Sequence, residues 1–369
     1  MRTRPQAREF VPELPRLPLE ASRSRSSVDT AFHVASGERV EVLRGRRELA
    51  RQSRDIEALA LRCGAPATAR MVWVMASLEA ASDHASWAVV VRDAVDSVCA
   101  AAVLLDLRAG AIDLVTLAGT AVGQRGALLV QDIDHAELLG RAVGNVLLAR
   151  GRHPYVDLGM LPANDPTVEA FALGLPGARV QPDAPIPVID CTRHVDVRDL
   201  LSHNMRRQMR KATNRIAADG RKMSVALTCD PHEILEQLPN LADHHRGRDH
   251  AHGRASHLDD IPGRLMWESR LRGLAEAGVL EMATLSLDEQ LAAYTFAVLD
   301  PPAYRLLEGR FVSEWSRYSP GRILEAAVVQ RVMDDPELDL LDWMSAVADE
   351  KLLATNAADP VVAIRVAGD

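Results

Sequence analysis

The sequence predicts an α/β (α+β) chain of two domains, and three observations lead there. The chain has 369 residues, more than one core ordinarily holds. A stretch rich in glycine and proline, residues 174–187, interrupts it near the middle and reads as a linker, with the boundary near Pro187. On either side, short apolar runs of strand character alternate with stretches of helical spacing. The expected spans are a disordered tail over 1–27, rich in Pro, Arg and Ser, a first domain over 28–187 and a second over 188–369.

Composition sets bounds on function. Apolar residues make up 47% of the chain and aromatics only 4%, so Ala, Leu and Val must fill the cores. The net charge of −8 argues against a general nucleic-acid binder. Cys63, Cys99, Cys191 and Cys229 are widely spaced with no C-x-x-C, as expected for free thiols in a reducing compartment. No apolar run reaches the roughly 18 residues of a membrane span. The arginine-bearing start of the chain lacks the apolar core of a secretory signal. The expected location is cytoplasmic.

In the first half, 48–62 has helical spacing, and 71–77 (MVWVMAS) and 87–91 (WAVVV) read as buried strands. Residues 99–107 and 112–117 continue the sheet. The loop GTAVGQRG places Gly119, Gly123 and Gly126 near one another, a weak phosphate signal without G-x-G-x-x-G order. Residues 134–150 form an amphipathic helix and 155–161 a strand.

The second half opens on a helix over 192–218 with a basic face of Arg206, Arg207, Arg210, Lys211 and Arg215. A solvated face, cofactor phosphates, an anionic acceptor or RNA would each suit it. Strand 223–228 and helix 231–245 follow. Next comes a loop carrying His244, His245, His250, His252 and His257, expected to touch an acceptor; no carboxylate–histidine pattern on a regular helix supports a metal there. After helix 262–277, the segments 279–287, 291–299 and 303–311 read as an antiparallel meander, turning at Asp288-Glu289-Gln290 and Asp300-Pro301-Pro302.

The stretch 303–351 holds the chemistry. Period-two alternation puts Tyr304, Leu306, Glu308 and Arg310 on one face of its strand. Ser319 and Pro320 then read as N-cap and first residue of a helix. Unpaired N–H groups and the dipole suit that end to a phosphate, and Gly321 clears space beside the backbone. A strand over 338–344 follows, and residues 358–367 are expected to add a last strand to this domain.

These features resemble the GNAT acyltransferase superfamily, in its CelD-like, cellulose- and polysaccharide-associated branch related to the Fem peptidyltransferases. The resemblance rests on the basic helix at 201–211, Gly278-Val279-Leu280, Leu291-Ala292-Ala293-Tyr294, the loop Tyr318-Ser319-Pro320-Gly321 and the pair Asp342 and Lys351. In the first half, 113–119 and 157–162 look like a second GNAT-like copy. The resemblance implies two GNAT-like domains, each a mixed, mostly antiparallel sheet flanked by helices. The branch often has Gly where this chain has Ala346 and Tyr where it has Glu350.

The implied activity is transfer of an acyl group, acetyl foremost, from acyl-CoA to an amine of a small molecule or sugar. Glu308 is the first candidate for the base and Asp342 the second, with Asp342 alternatively orienting Lys351. Tyr318 is a candidate to protonate the thiolate. Ser319, Gly321 and Ile323 would offer N–H groups to the diphosphate, with charge from Arg317 or Arg322. The rival readings are a Fem-like transferase fed by charged tRNA and a non-catalytic GNAT-like binding subunit.

Overall fold

The computed structural model describes residues 31–33, 37–79, 85–109, 112–120, 124–150, 154–192, 195–344 and 352–368. The tail 1–27 and the positions Ala346, Glu350 and Lys351 lie outside the described residues.

The first half contains β1 (Ala31–His33), β2 (Arg39–Arg44), α1 (Gly45–Arg62), α2 (Met71–Glu79), β3 (Ser86–Arg92), β4 (Val98–Ala109), β5 (Ile112–Leu117), β6 (Leu129–Val130), α3 (Ile133–Ala149), β7 (Tyr155–Pro162), α4 (Pro166–Gly174) and β8 (Arg179–Pro182). The second half contains β9 (Ile186–Asp190), α5 (Val197–Leu200), α6 (His203–Ala218), β10 (Met223–Thr228), α7 (Pro231–Ala251), α8 (Ile261–Glu276), β11 (Leu280–Leu287), β12 (Gln290–Asp300), β13 (Ala303–Phe311), α9 (Pro320–Met333), β14 (Leu340–Asp342), β15 (Ala357–Asp359) and β16 (Val361–Val366).

The same order of elements occurs twice: a meander of three strands, a helix, and a strand parallel to the third. It runs β3-β4-β5-α3-β7, then β11-β12-β13-α9-β14. The expected mixed, mostly antiparallel sheets flanked by helices are present in both halves. One sheet has the order β1-β2-β3-β4-β5-β7-β16-β8, with β6 on β4, and the other β10-β11-β12-β13-β14-β9-β15. Apart from the exposed edge strand β10, each sheet buries both faces. The first packs α3 and α4 on one side and α1 and α2 on the other. The second packs α6 and α9 on one side and α7 and α8 on the other.

Local chemistry accounts for several of these elements. Asp165-Pro166 and Asp230-Pro231 start α4 and α7, the carboxylate capping an N–H and the proline fixing the first turn. Asp288 and Glu289 both have positive φ, so a two-residue turn of primed type joins β11 to β12.

Three expectations are corrected here. Residues 71–77 are helical, not a strand. Met71, Trp73, Val74, Ala76 and Leu78 are buried between the first sheet and α8, so this helix is apolar nearly all round and lacks the polar stripe that reveals a period of 3.6. The histidine segment is largely helix: α7 runs on to Ala251 because Ile234, Leu238, Leu241, Ala242 and His245 continue one buried stripe. The last strand, β16, pairs with β7 and β8 of the first sheet, not with the second sheet. Val361 there packs with Met160, Ile186, Val188 and Leu340, tying the two sheets together.

Candidate active site

β13 is interrupted by a bulge. Phe296 opposes Glu308 while Ala297 opposes Leu306, leaving Leu307 as the extra residue. The bulge resets the alternation of side chains. Tyr304 and Leu306 face α6 and α9, whereas Glu308 and Arg310 face α7 and α8. The four residues expected on one face are therefore split between two.

The same strand is also splayed. β14 pairs with β13 only through Ala303, Tyr304 and Arg305, and among the described residues the half from Leu306 to Phe311 has no strand partner on that side. The cause lies just past β14. Met344 adopts a left-handed conformation, its N–H donates to Asp342 Oδ1 at 2.7 Å, and its carbonyl accepts the Arg125 N–H at 3.2 Å. The chain thus turns out of the sheet towards the first half, and β13 is left with an open edge.

Asp342 is fully buried and accepts from Arg125 at 2.8 Å and from Arg305 at 2.7 Å. Arg125 reaches on to Asp359 at 2.8 Å. Two guanidinium groups hold this carboxylate, which suits it to fixing the fork rather than to accepting a proton. Lys351 lies outside the described residues, so the pairing with Asp342 has no geometry here.

Past the open edge, a 3₁₀ segment (Ser313–Tyr318) leads into α9. Ser319 occupies the cap position, but with φ 51° and ψ 46° its side chain does not cap, contrary to expectation. Three N–H groups are used locally: Ser319 donates to the Ser316 carbonyl, and Arg322 and Ile323 both donate to the Ser319 carbonyl. A Cβ built on Gly321 would lie 3.4 Å from the Phe311 ring, so the helix start rests against the end of β13. Arg322 pairs with Glu325 at 2.9 Å, Arg317 with Asp219 at 2.7 Å, and Ile323 is buried. The buried Tyr318 donates its hydroxyl to Asp219 at 2.7 Å and is already committed at the end of α6.

The first half offers an instructive contrast. At the matching position, Asp132 caps α3, accepting from the His135 N–H at 3.0 Å, and Asp134 adds a second acid to the first turn. That helix start is filled by its own carboxylate and would repel a diphosphate. The start of α9 has no acid in its first turn. The neighbouring glycines serve packing: a Cβ on Gly119 would lie 2.3 Å from the Thr68 carbonyl oxygen, and one on Gly126 would lie 2.9 Å from that of Gly159.

On the other face of β13 lies a group that sequence reasoning did not assemble. Glu308 accepts from Trp267 Nε1 at 3.0 Å and lies 3.6 Å from Nδ1 of the fully buried His245. Nε2 of the same imidazole lies 3.1 Å from the Arg310 guanidinium and 3.3 Å from Asp249. Burial works to raise the Glu308 pKa, but His245, Arg310 and the Trp267 N–H outweigh it and hold the carboxyl below the usual glutamate value. His245, Asp249 and His257 have ligand atoms within 4.8 Å of one another, a spacing a metal ion could use. The Arg310 cation on Nε2 opposes that use. The spacing of the buried stripe through His245 was the available signal, and a histidine is not counted among the apolar residues that trace such a stripe.

Residues 203–352 match the family of acetyltransferase (GNAT) domains. This part of the chain is similar to GNAT domains. The match covers α6 through β14 and so includes the bulge, the fork and the helix start. The match supports a transferase enzyme.

Solved structures resemble more of the chain. One is the C-terminal DUF2156 domain of an Agrobacterium fabrum protein provisionally assigned as a lysylphosphatidylglycerol synthetase. It has 11% identity and a TM-score of 0.54, with 86% of this chain and 93% of that chain covered. A tandem GNAT protein from the clavulanic acid biosynthesis pathway has 17% identity and a TM-score of 0.47, covering 89% and 98%. FemX has 11% identity and a TM-score of 0.48, covering 72% and 80%. At these identities the likeness concerns the fold. A search of curated proteins returned no match. Among the described residues, no helix is long and apolar enough to cross a membrane.

Proposed function

We propose that the chain is an N-acyltransferase that moves an acyl group, acetyl foremost, from acyl-CoA to an amine of a small molecule or sugar. One observation carries this reading. The open edge of the bulged strand β13 lies between an acid-free helix start on one side and a half-buried carboxylate beside a buried imidazole on the other. The diphosphate of acyl-CoA would meet the N–H group of Gly321, the dipole of α9 and the charge of Arg317 and Arg322, the Ser319 N–H being spent on the Ser316 carbonyl. The thioester would lie along the unpaired half of β13, where a main-chain N–H can receive the oxyanion.

The acceptor ammonium gives a proton to Glu308, directly or through water, with the Trp267 N–H holding the carboxylate in place. The amine lone pair attacks the thioester carbonyl, the C–N bond forms and the C–S bond breaks. As the amide forms, the nitrogen sheds its second proton, which passes through water to the leaving thiolate, since the Tyr318 hydroxyl is spent on Asp219. Asp342 shapes the fork in this account.

Within the superfamily, the basic helix and the 318–321 loop support the CelD-like, polysaccharide-associated branch as nearer kin. The four free thiols support a reducing, cytoplasmic setting. The exposed Arg206, Arg207, Arg210 and Lys211 on α6 also favour a second reading, a donor delivered on charged tRNA.

Thiol release from acetyl-CoA in the presence of an amine panel tests the proposal, with Glu308→Gln as comparison. Amine-dependent release that falls in the variant supports it. No release with any amine, or release equal in both proteins, overturns it; release that depends on intact RNA and aminoacyl-tRNA points to the tRNA donor.

A further inference from the structure

Beside Glu308 the protein gathers positive charge that it does not neutralise. Arg248 stacks its guanidinium 3.9 Å from the centre of the Phe311 ring and shares a 2.6 Å hydrogen bond with His252. Arg310, the residue before Phe311, reaches only the Gly309 carbonyl and His245. Arg254 is exposed, and its N–H donates to the Asp249 carbonyl, which brings it back against the end of α7. Among the described residues, none of these three arginines has a carboxylate within 4.0 Å. Their neighbour Arg246, two residues before Arg248 on α7, is by contrast paired with both Asp243 and Asp259. The three charges act on one another: burial, then Arg310 and Arg254, pull the Arg248 pKa below the usual arginine value.

Unsatisfied polar atoms point to the same place. The Tyr294 hydroxyl, on a residue 1% exposed and paired across the sheet with Arg310, has no hydrogen-bond partner. Nδ1 of the fully buried His245 likewise has none within hydrogen-bond distance. Each atom left unpaired costs the desolvation of its group, and these two lie beside uncompensated cations. A polar, negatively charged ligand would resolve both conditions at once.

We infer that the acceptor carries an anionic group, a carboxylate or a phosphate, close to its reacting amine. Arg248, Arg254 and Arg310 bind the anion, and the Tyr294 hydroxyl donates to it or to the amine. Glu308 and His245 stay on the amine side. This inference rests on the reading of the chain as an amine acyltransferase, and it narrows the acceptor to amino acids, amino-acid-like amines or phosphorylated amines.

The test uses ethanolamine, β-alanine and O-phosphoethanolamine, which present a primary amine with no anion, a carboxylate or a phosphate. Binding to the whole protein is measured by calorimetry without a donor, and amine-dependent thiol release from acetyl-CoA is measured separately. At least one anionic amine should bind about tenfold or more tightly than ethanolamine, the scale of one charge-assisted hydrogen bond. The preferred member tells carboxylate from phosphate. Arg254→Gln, at an exposed position, and Arg248→Gln should each reduce that preference several-fold while circular dichroism stays unchanged. Anionic amines binding no better than ethanolamine, or a preference that survives both substitutions, overturns the inference whatever happens to acetyl-CoA. Loss of thiol release alone, with the anion preference intact, counts against the acyl-CoA reading and not against this site.

Discussion

Arg125 donates to the Asp342 carboxylate at 2.8 Å, joining the two halves of the chain across 217 residues of sequence. The contact lies where β14 leaves the sheet. It fixes the turn at Met344, and with it the gap beside β13. A residue of the first half thus props open the gap beside β13 in the second.

Breaking that pair leaves a charge buried without its partner. Arg125→Met should destabilise the protein by about 3–5 kcal/mol, the usual cost of orphaning one member of a buried ion pair. Asp342→Asn should be less severe than Asp342→Ala, because an amide keeps the shape and one acceptor. Chemical denaturation of the three variants checks this. Loss of activity in Asp342→Asn with unchanged stability would instead point to a direct chemical role.

Glu308→Gln should lower kcat by about 10²–10⁴ if the carboxylate takes the amine proton, the range for a positioned base. KM for acetyl-CoA should change little, since the carboxylate lies on the face of β13 opposite α9. Steady-state kinetics at saturating donor separates the two parameters.

The same carboxylate links stability to pH. Its folded pKa lies below the ordinary glutamate value, so its ionised form stabilises the fold above the unfolded pKa of about 4.3. That contribution disappears as pH falls through the lower, folded value. Below about pH 4.3, wild type should therefore lose stability more steeply than Glu308→Gln. Urea melts across an acid series give the two slopes.

Two serines at helix starts should behave differently. Ser202 caps α6, accepting from the Met205 N–H at 3.1 Å, and Ser202→Ala should cost about 1 kcal/mol. Ser319 makes no such bond and holds a left-handed backbone. Ser319→Ala should cost less than Ser202→Ala, and Ser319→Gly should stabilise α9 by relieving the side-chain clash of that conformation. Thermal denaturation of the three proteins decides it.

The sequence revealed some of this and concealed the rest for identifiable reasons. The meander was legible because β11, β12 and β13 carry their own turn residues. The helix start at Pro320 was legible because proline and glycine constrain the backbone locally. The bulge at Leu307 was not, because a bulge is defined by the register of the partner strand β12. Asp342 read as a possible base because its partner Arg125 is remote in sequence. His245 read as a loop residue because only the packing of α7 on β13 shows that it continues a buried stripe.

The central claim, that the open start of α9 receives the diphosphate of acyl-CoA, is tested most directly by calorimetric titration of acetyl-CoA into wild type and Gly321→Asp. The account predicts saturable binding by wild type and at least tenfold weaker binding by the variant, whose new carboxylate would occupy the helix start as Asp132 does at α3. Equal binding by the two proteins, with both folded, would contradict it.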